Sequence, residues 1–232
     1  MRRPPGRCPP LSDARRREPA LRLPRRGVRP RRSRAERSAE TRARILEGVI
    51  ASIAELGLQR TTASEIARRA GVTWGAVQHH FGAKEELLTA VLEEGFDRFA
   101  RRFDDLGAES AALPERASRF VDRAWEHFAS PVYRANFEIL LVTVRDDPSE
   151  LTDRIPAQML GAVDRLWRRV FPESPLDRDR RHGLERYVIA VLSGLASSVM
   201  LQGPRPQVQP EAEIRLLKET LARELLGPRR DS

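Results

Sequence analysis

The residues best suited to chemistry lie between positions 62 and 84, and their types favour binding to a polyanion over catalysis. Thr62 and Thr73 each precede a short helical pattern, where a hydroxyl group and free backbone amides suit phosphate oxygens. At about 100° per residue, Val77 and Phe81 point to one side of the second pattern. Its other side carries Gly75, Ala76, Gln78 and His79. The two small residues would let that helix approach the floor of a DNA major groove.

The helices that must position these residues follow from the spacing of apolar and capping residues. An apolar i, i+3, i+4 stripe predicts a first helix over 38–56. Thr62 and Glu65 have the spacing of a capping box, which predicts the start of a second helix. A third helix follows over 74–80 after a short glycine-containing turn, and a fourth begins near Lys84. Two short helices joined by a tight turn and braced by a longer one form a helix-turn-helix.

The segment 61–87 resembles the signature of the TetR (tetracycline-repressor-like) family. It reads Thr-Thr-Ala-Ser-Glu-Ile-Ala-Arg-Arg-Ala and then Gly-Val-Thr-Trp-Gly-Ala-Val-Gln-His-His-Phe-Gly-Ala-Lys-Glu-Glu-Leu. The resemblance covers about 41–92 and implies a homodimer that binds palindromic double-stranded DNA and is usually released by a small ligand. Helix geometry and the resemblance together give ten candidate DNA-contacting residues: Thr62, Ser64, Thr73, Trp74, Gly75, Ala76, Gln78, His79, His80 and Lys84.

Two positions depart from the family pattern. Gln78 stands where the family usually has a tyrosine that contacts phosphate. Its amide either pairs with the edge of an adenine or makes a simple phosphate or solvent contact. Ala83 replaces the usual serine or asparagine cap, so we expect the fourth helix to start more weakly by about 1 kcal/mol. Trp74 is only about 60° from Val77 on the helical wheel, so it either touches the DNA or is partly buried.

Catalytic and metal-binding patterns are not found in the sequence. His79 and His80 are adjacent, so they point about 100° apart on a helix, and no third ligand lies nearby in the sequence. The single cysteine, Cys8, excludes an internal disulfide and a cysteine-based metal site. There is no glycine-rich phosphate loop, no nucleophile elbow and no His/Cys metal spacing. The sequence therefore predicts a protein that is not an enzyme and has no cofactor or metal.

The positive charge of the chain is concentrated at its N-terminus. Residues 1–37 hold fourteen arginines against three acidic residues, a net charge of +11. Subtracting this from the total of +9 leaves −2 for the rest of the chain. Arginine- and proline-rich composition predicts a disordered basic arm over 1–37. The arm either clamps DNA phosphates non-specifically, or is a solvated tail or the product of a wrongly assigned start.

The remainder of the chain divides into two predicted units, and both are all-α. We expect a helix-turn-helix DNA-binding domain over 38–83 and a helical ligand-binding and dimerisation domain over 84–232. Strand signals are poor, and aromatic residues make up only 6% of the chain. Glycine and proline residues mark the breaks between six further helices that follow the helix-turn-helix. They are predicted over 84–105, 115–129, 132–146, 149–170, 178–201 and 210–226.

Two sets of apolar residues in the second unit have candidate roles. An aromatic cluster with a few polar neighbours either forms plain core or lines a pocket for a hydrophobic effector. The candidate lining residues are Phe99, Phe103, Phe128, Phe137 and Trp167. The last two helices carry apolar stripes where the family builds its dimer interface, although packing within one chain is the alternative. The candidate interface residues are Val188, Val191, Leu192, Leu195, Leu217 and Leu221.

These observations predict a cytoplasmic transcription regulator, a repressor that a small effector releases from a palindromic operator. The alternative is an effector-independent regulator whose helical body only dimerises. The longest uncharged stretch, from Tyr187 to Pro204, falls short of the roughly 20 apolar residues that span a bilayer, so no membrane partner is expected. Ligand binding would pivot the fourth helix. This would change the separation between the third helices of the two subunits, which is about 34–36 Å on palindromic DNA.

Overall fold

The computed structural model describes residues 33–106, 111–146, 161–202 and 210–227. These residues are helical with short turns, and no strand occurs among them, which confirms the all-α prediction. The helices are α1 (Arg34–Leu56), α2 (Ala63–Ala70), α3 (Trp74–Phe81), α4 (Lys84–Arg101), α5 (Leu113–Phe128), α6 (Pro131–Asp146), α7 (161–170), α8 (Arg178–Leu201) and α9 (Glu211–Leu226). A 3-10 turn, Leu58–Arg60, follows α1.

Helix α1 begins earlier than its apolar stripe predicts. The Ser33 hydroxyl accepts a hydrogen bond from the Glu36 N–H at 3.1 Å, and the Glu36 carboxylate accepts one from the Ser33 N–H at 2.6 Å. This reciprocal capping box starts the helix at Arg34, four residues before position 38. The last residues of the predicted basic arm therefore belong to a helix, and positions 1–32 lie outside the described residues.

Two other helix limits differ from the sequence prediction. Helix α4 ends at Arg101, and turns continue the chain to Leu106, so the predicted helix over 84–105 is too long. Phe103 and Leu106 are fully buried in those turns, which explains why their apolar spacing resembles a helical stripe. Of the helix predicted over 149–170, only 161–170 belongs to the described residues.

The buried side chains form two hydrophobic clusters. The head cluster joins α1, α2, α3 and the first half of α4 with Ala135 and Ile139 of α6. The body cluster joins α5, α7, α8 and α9 with the end of α4 and the turn after it. Its aromatic members include Phe103, Phe120 and Trp167. Helix α6 contributes to both, because its residue Tyr133 packs against the body cluster.

Helix α6 also makes polar and close contacts to the rest of the head. The Glu138 carboxylate accepts a hydrogen bond from the Leu58 N–H at 2.8 Å, which fixes α6 to the 3-10 turn. At Gly95 of α4, an added Cβ would lie 1.8 Å from Nδ2 of Asn136. Because only glycine leaves room there, α4 can approach α6 closely at this position.

Helix α8 is the one described helix that is long and apolar enough to cross a membrane by length and composition. One side of it, with Leu184, Val188, Leu192 and Ala196, is buried in the body cluster. A core helix of a helical bundle passes the same test, although within this chain only 28% of the apolar window of α8 is buried.

Candidate nucleic-acid interface

The turn between α2 and α3 is built by a glycine and a capping threonine. Gly71 ends α2 in the left-handed conformation, with φ 64° and ψ 39°, which glycine adopts without strain. The N–H of Val72 then donates to the Ala67 carbonyl at 3.0 Å. Thr73 starts α3 by accepting a hydrogen bond from the Ala76 N–H at 3.2 Å. The three residues 71–73 therefore hold α2 and α3 in a helix-turn-helix.

Helix α3 has one buried and one exposed side. Val77 and Phe81 are buried in the head cluster. Gly75, Gln78 and His79 are exposed, and Ala76 is half-buried. Trp74 is half-buried and packs against the head cluster, so part of its indole is covered by protein. The exposed side of α3 thus presents small residues and an amide at the surface.

Helix α2 is held against α1 by an ion-pair network. The Thr62 hydroxyl accepts from the Glu65 N–H at 3.3 Å, and both Thr62 and Ser64 are exposed. Glu65 does not complete the predicted capping box, because its carboxylate accepts hydrogen bonds from Arg68 and Arg69. These bonds, first that from Arg68, lower the pKa of Glu65 to about 2. Arg69 also pairs with Glu55 of α1 at 2.7 Å, which links the two helices.

The start of α4 is capped from one direction only. The Ala83 N–H donates to the Glu86 carboxylate at 2.7 Å, while Ala83 has no side-chain group to return the bond. This agrees with the weaker start expected at Ala83. Lys84, the next residue, is exposed beside the C-terminal end of α3.

A basic groove that the sequence did not predict lies between α1 and α3. Residues from the N-terminal part of α1 line it together with the two adjacent histidines of α3: Arg34, Arg37, Ser38, Thr41, His79 and His80. Nearby, the Arg42 guanidinium lies 4.3 Å above the Phe81 ring, a cation–π contact that ties α1 to α3. The signal that could have revealed the groove is the Ser33/Glu36 capping box, because it places Arg34 and Arg37 on a helix.

Three of the five aromatic residues predicted as pocket lining are buried in the core, and the other two are half-buried. Phe103, Phe128 and Trp167 are at most 5% exposed and belong to the body cluster. Phe99 is half-buried, with its ring centroid 5.0 Å from that of Phe103. Phe137 is also half-buried and stacks on Tyr133 at 5.9 Å. Of the five candidates, only the two half-buried rings are accessible.

His127 is a titratable group inside this aromatic cluster. Its ring lies 4.9 Å from Phe99 and 6.0 Å from Tyr133, measured between centroids. Burial lowers the pKa of His127 to about 4, because a charged imidazolium would lose its hydration there. The side chain is therefore neutral near pH 7.

The apolar stripes predicted for the dimer interface also face the core. Val188, Leu192, Leu217 and Leu221 are at most 2% exposed, and Val191 and Leu195 are half-buried against the same cluster. The physical reason is that the most apolar side of an amphipathic helix covers its own core first. The exposed large apolar residues of α8 and α9 are Tyr187, Leu201, Leu216 and Leu226, of which Leu201 is 88% exposed.

Comparison with known proteins finds a matching family and similar transcription regulators. Residues 45–91 match the family described as bacterial regulatory proteins, tetR family. The HTH-type transcriptional regulator CymR of Pseudomonas putida is 25% identical over 167 residues, which cover 72% of this chain and 82% of CymR. The HTH-type transcriptional regulator TtgR, also of Pseudomonas putida, is 44% identical over 69 residues, which cover 28% of this chain and 33% of TtgR.

A solved structure gives the same result for the fold. The transcriptional regulator FadR from Bacillus subtilis, in complex with stearoyl-CoA, superposes with a TM-score of 0.57 at 16% identity. The alignment covers 80% of this chain and 97% of FadR. The helix-turn-helix, the matched family segment and the similarity to CymR over most of its length agree with the resemblance noted in the sequence. The segment 45–91 therefore belongs to the TetR family of bacterial regulatory proteins, and the chain as a whole is similar to DNA-binding transcription regulators of that family.

Proposed function

We propose that two copies of this chain bind a palindromic operator, each placing α3 in the major groove, and that the complex represses transcription until a small apolar effector releases it. The observation that carries the proposal is the exposed side of α3. Gly75 and Ala76 let the backbone approach the base edges, and the amide of Gln78 is free at the surface to bind them.

The remaining candidate contacts are assigned by position around α3. Exposed hydroxyls and N–H groups at the starts of α2 and α3 suit phosphate oxygens. Lys84 supplies a charge to the backbone, and the groove between α1 and α3 extends the basic surface. The proposed contacts are Thr62, Ser64, Thr73, Trp74, Gly75, Ala76, Gln78, His79, His80 and Lys84, with Arg34 and Arg37 added from α1.

The dimer surface is proposed on the exposed side of α8 and α9. Tyr187, Gly194 and Leu201 follow one another along the exposed side of α8, with the exposed Leu216 on α9. Small residues such as Gly194 permit a close approach of helices, and covering exposed apolar residues is favourable. This surface replaces the buried stripe of Val188, Leu192, Leu217 and Leu221.

The effector site is proposed beside the half-buried rings of Phe99 and Phe137. His127 and Asn136 are buried polar residues nearby, and Oδ1 of Asn136 has no hydrogen-bond partner among the described residues. An apolar site with a few polar groups suits a mostly hydrophobic ligand. The stearoyl-CoA bound to FadR supports this, since a protein of the same fold accommodates a ligand with a long acyl chain. A cytoplasmic location is part of the same proposal, because operator DNA is there.

The second candidate is an effector-independent regulator whose body only dimerises. It is favoured by the close packing of Phe103, Phe128 and Trp167, which fill the body where a cavity was expected. Thermal-shift screening of hydrophobic compounds separates the two. Compounds that raise the melting temperature and weaken operator binding favour the effector-released repressor; if none does both, the second candidate is favoured.

The DNA interface is tested with fluorescence anisotropy on duplexes from the region upstream of the gene. The chain has two lysines, and Lys218, which pairs with Asp122 at 2.6 Å in the body, is a matched control for Lys84. Lys84→Ala should weaken binding to all duplexes and make the salt dependence of log K shallower by about 1. Lys218→Ala should leave the slope unchanged. Equal slopes for both variants would remove Lys84 from the interface, and a protein indifferent to every duplex would overturn the proposal.

A further inference from the structure

Three potential metal ligands converge where α7 meets α8. Asp164 of α7 and His182 and Glu185 of α8 each offer one ligand atom, and these atoms all lie within 4.8 Å of one another. Oδ1 of Asp164 is 3.3 Å from Nε2 of His182. His182 and Glu185 are three residues apart on a helix, which places their side chains next to each other on one face.

The carboxylate of Glu185 is buried and pairs with Arg181 only through a long ion pair. The residue is 6% exposed, and its Oε1 atom has no hydrogen-bond partner among the described residues. The cation beside it, Nε of Arg181, lies 3.6 Å away, which is beyond hydrogen-bonding distance. Burying a carboxylate is unfavourable unless it is paired or coordinates a metal. This oxygen therefore points to a cation that would complete its coordination.

We propose that Asp164, His182 and Glu185 bind a divalent transition-metal ion of the zinc class that joins α7 to α8. Imidazole nitrogens and carboxylate oxygens are both ligand types that bind Zn²⁺, with bond lengths of about 2.0–2.2 Å. Ligand atoms in a tetrahedral site of that size are roughly 3.4 Å apart, so the Asp164–His182 pair has nearly the required separation. Water would fill the remaining position.

The two arginines around Asp164 are compatible with such an ion. Arg168 pairs with Oδ2 of Asp164, and Arg181 lies 3.2 Å from Oδ1. The Arg168 side chain is 59% exposed and has room to move into solvent when a cation takes its place. Arg181 is less exposed and contacts both Oδ1 of Asp164 and Oε1 of Glu185, so its side chain would have to turn away from both oxygens when the ion binds. The site is independent of the DNA-binding and effector proposals, since none of its residues takes part in them.

The sequence did not predict this site because its ligands are not grouped along the chain. His182 and Glu185 alone are a common helical pair, and Asp164 precedes His182 by eighteen residues on a different helix. Only the packing of α7 against α8 brings the third ligand into place. The adjacent His79 and His80 do stand out in the sequence, but no third ligand lies close to them among the described residues.

The test is to remove bound metal from the full-length protein with a chelator and then titrate it with zinc chloride. Isothermal titration calorimetry measures the binding. We expect one equivalent of zinc per chain and a rise in melting temperature with zinc, because an ion that binds only the folded state stabilises it. His182→Asn, Asp164→Asn and Glu185→Gln should each weaken zinc binding at least tenfold and remove the rise in melting temperature. The double variant His79→Asn/His80→Asn is the matched control and should keep the full equivalent.

Two results would overturn the proposal. One is wild-type protein that binds no zinc; the other is an equivalent that survives in Glu185→Gln and disappears in the His79/His80 double variant. If His182→Asn does not fold, the site is tested by titrating the protein with cobalt chloride and recording the visible absorption spectrum. Co²⁺ held by protein ligands absorbs visible light. A cobalt spectrum unchanged by Glu185→Gln, which preserves the shape of the side chain, would contradict the site.

Discussion

The head and the body of this protein use their aromatic side chains differently. In the head, the Phe81 ring is held between the core and the Arg42 guanidinium, and this anchors α3 with its polar side outward. In the body, Phe103, Phe120 and Trp167 contact one another in sequence, with centroids 4.8 and 5.5 Å apart. The head therefore uses one ring to orient a surface, while the body uses its rings to fill its interior. Among the predicted pocket residues, only the half-buried rings of Phe99 and Phe137 are accessible at the edge of the body.

The difference is tested most strongly at Trp167. This side chain is 1% exposed and contacts Phe120 and Phe171, so Trp167→Ala should lower the free energy of unfolding by about 3–5 kcal/mol. Phe137→Ala, at a half-buried ring, should cause a clearly smaller loss. Urea unfolding followed by circular dichroism measures both. A loss at Trp167 no larger than that at Phe137 would mean that Trp167 borders open space.

The packed body should also lose stability in mild acid because of His127. Its pKa is about 4 in the folded protein and 6.5 when unperturbed, so between these values the unfolded chain binds the extra proton. Stability is therefore complete above about pH 6.5 and falls as the pH drops towards 4, by up to about 3 kcal/mol. His127→Gln should remove this part of the pH dependence. Identical slopes between pH 4.5 and 6.5 for the two proteins would show that His127 is solvated.

The contact between body and head is tested at Glu138. Glu138→Ala removes the acceptor of the Leu58 N–H and should reduce stability by about 1–3 kcal/mol. Glu138→Gln keeps an acceptor oxygen and should lose less. Chemical unfolding of both variants gives the comparison. Equal losses would indicate that the charge of Glu138, and not its hydrogen bond, joins α6 to the turn.

The smallest effects are expected at two glycines of α8. An added Cβ at Gly183 or Gly194 meets no atom within 4 Å, so alanine at either position should stabilise one chain by about 0.5–1 kcal/mol. Only Gly194 lies on the proposed dimer surface, so Gly194→Ala should weaken self-association while Gly183→Ala should not. Sedimentation equilibrium distinguishes them. If both variants associate like the wild type, the partner does not approach α8 at Gly194.

The head was the more predictable part from sequence because its geometry is local. The exposed side of α3 is fixed by eight consecutive residues and two caps, so Gln78 and Val77 could be assigned to opposite sides without knowing the fold. Leu192 and Leu217 could not be assigned in this way. The sequence identifies their stripes as apolar. The partner that covers each stripe, however, depends on helices that are distant in the chain. The same limit applies to Arg34, whose position near α3 depends on where α1 begins.

The division of α6 between the two clusters has a consequence for building chimeric regulators. Ala135 and Ile139 complete the core beneath the DNA-binding helices, whereas Tyr133 and Phe137 stack towards Phe128. A foreign sensory module fused after position 83 would bring its own α6. The side chains of that helix would not match the core residues of α1 that the native α6 covers. A transplant that preserves the α6 residues facing the head, and replaces only those facing the other way, should yield a hybrid that folds.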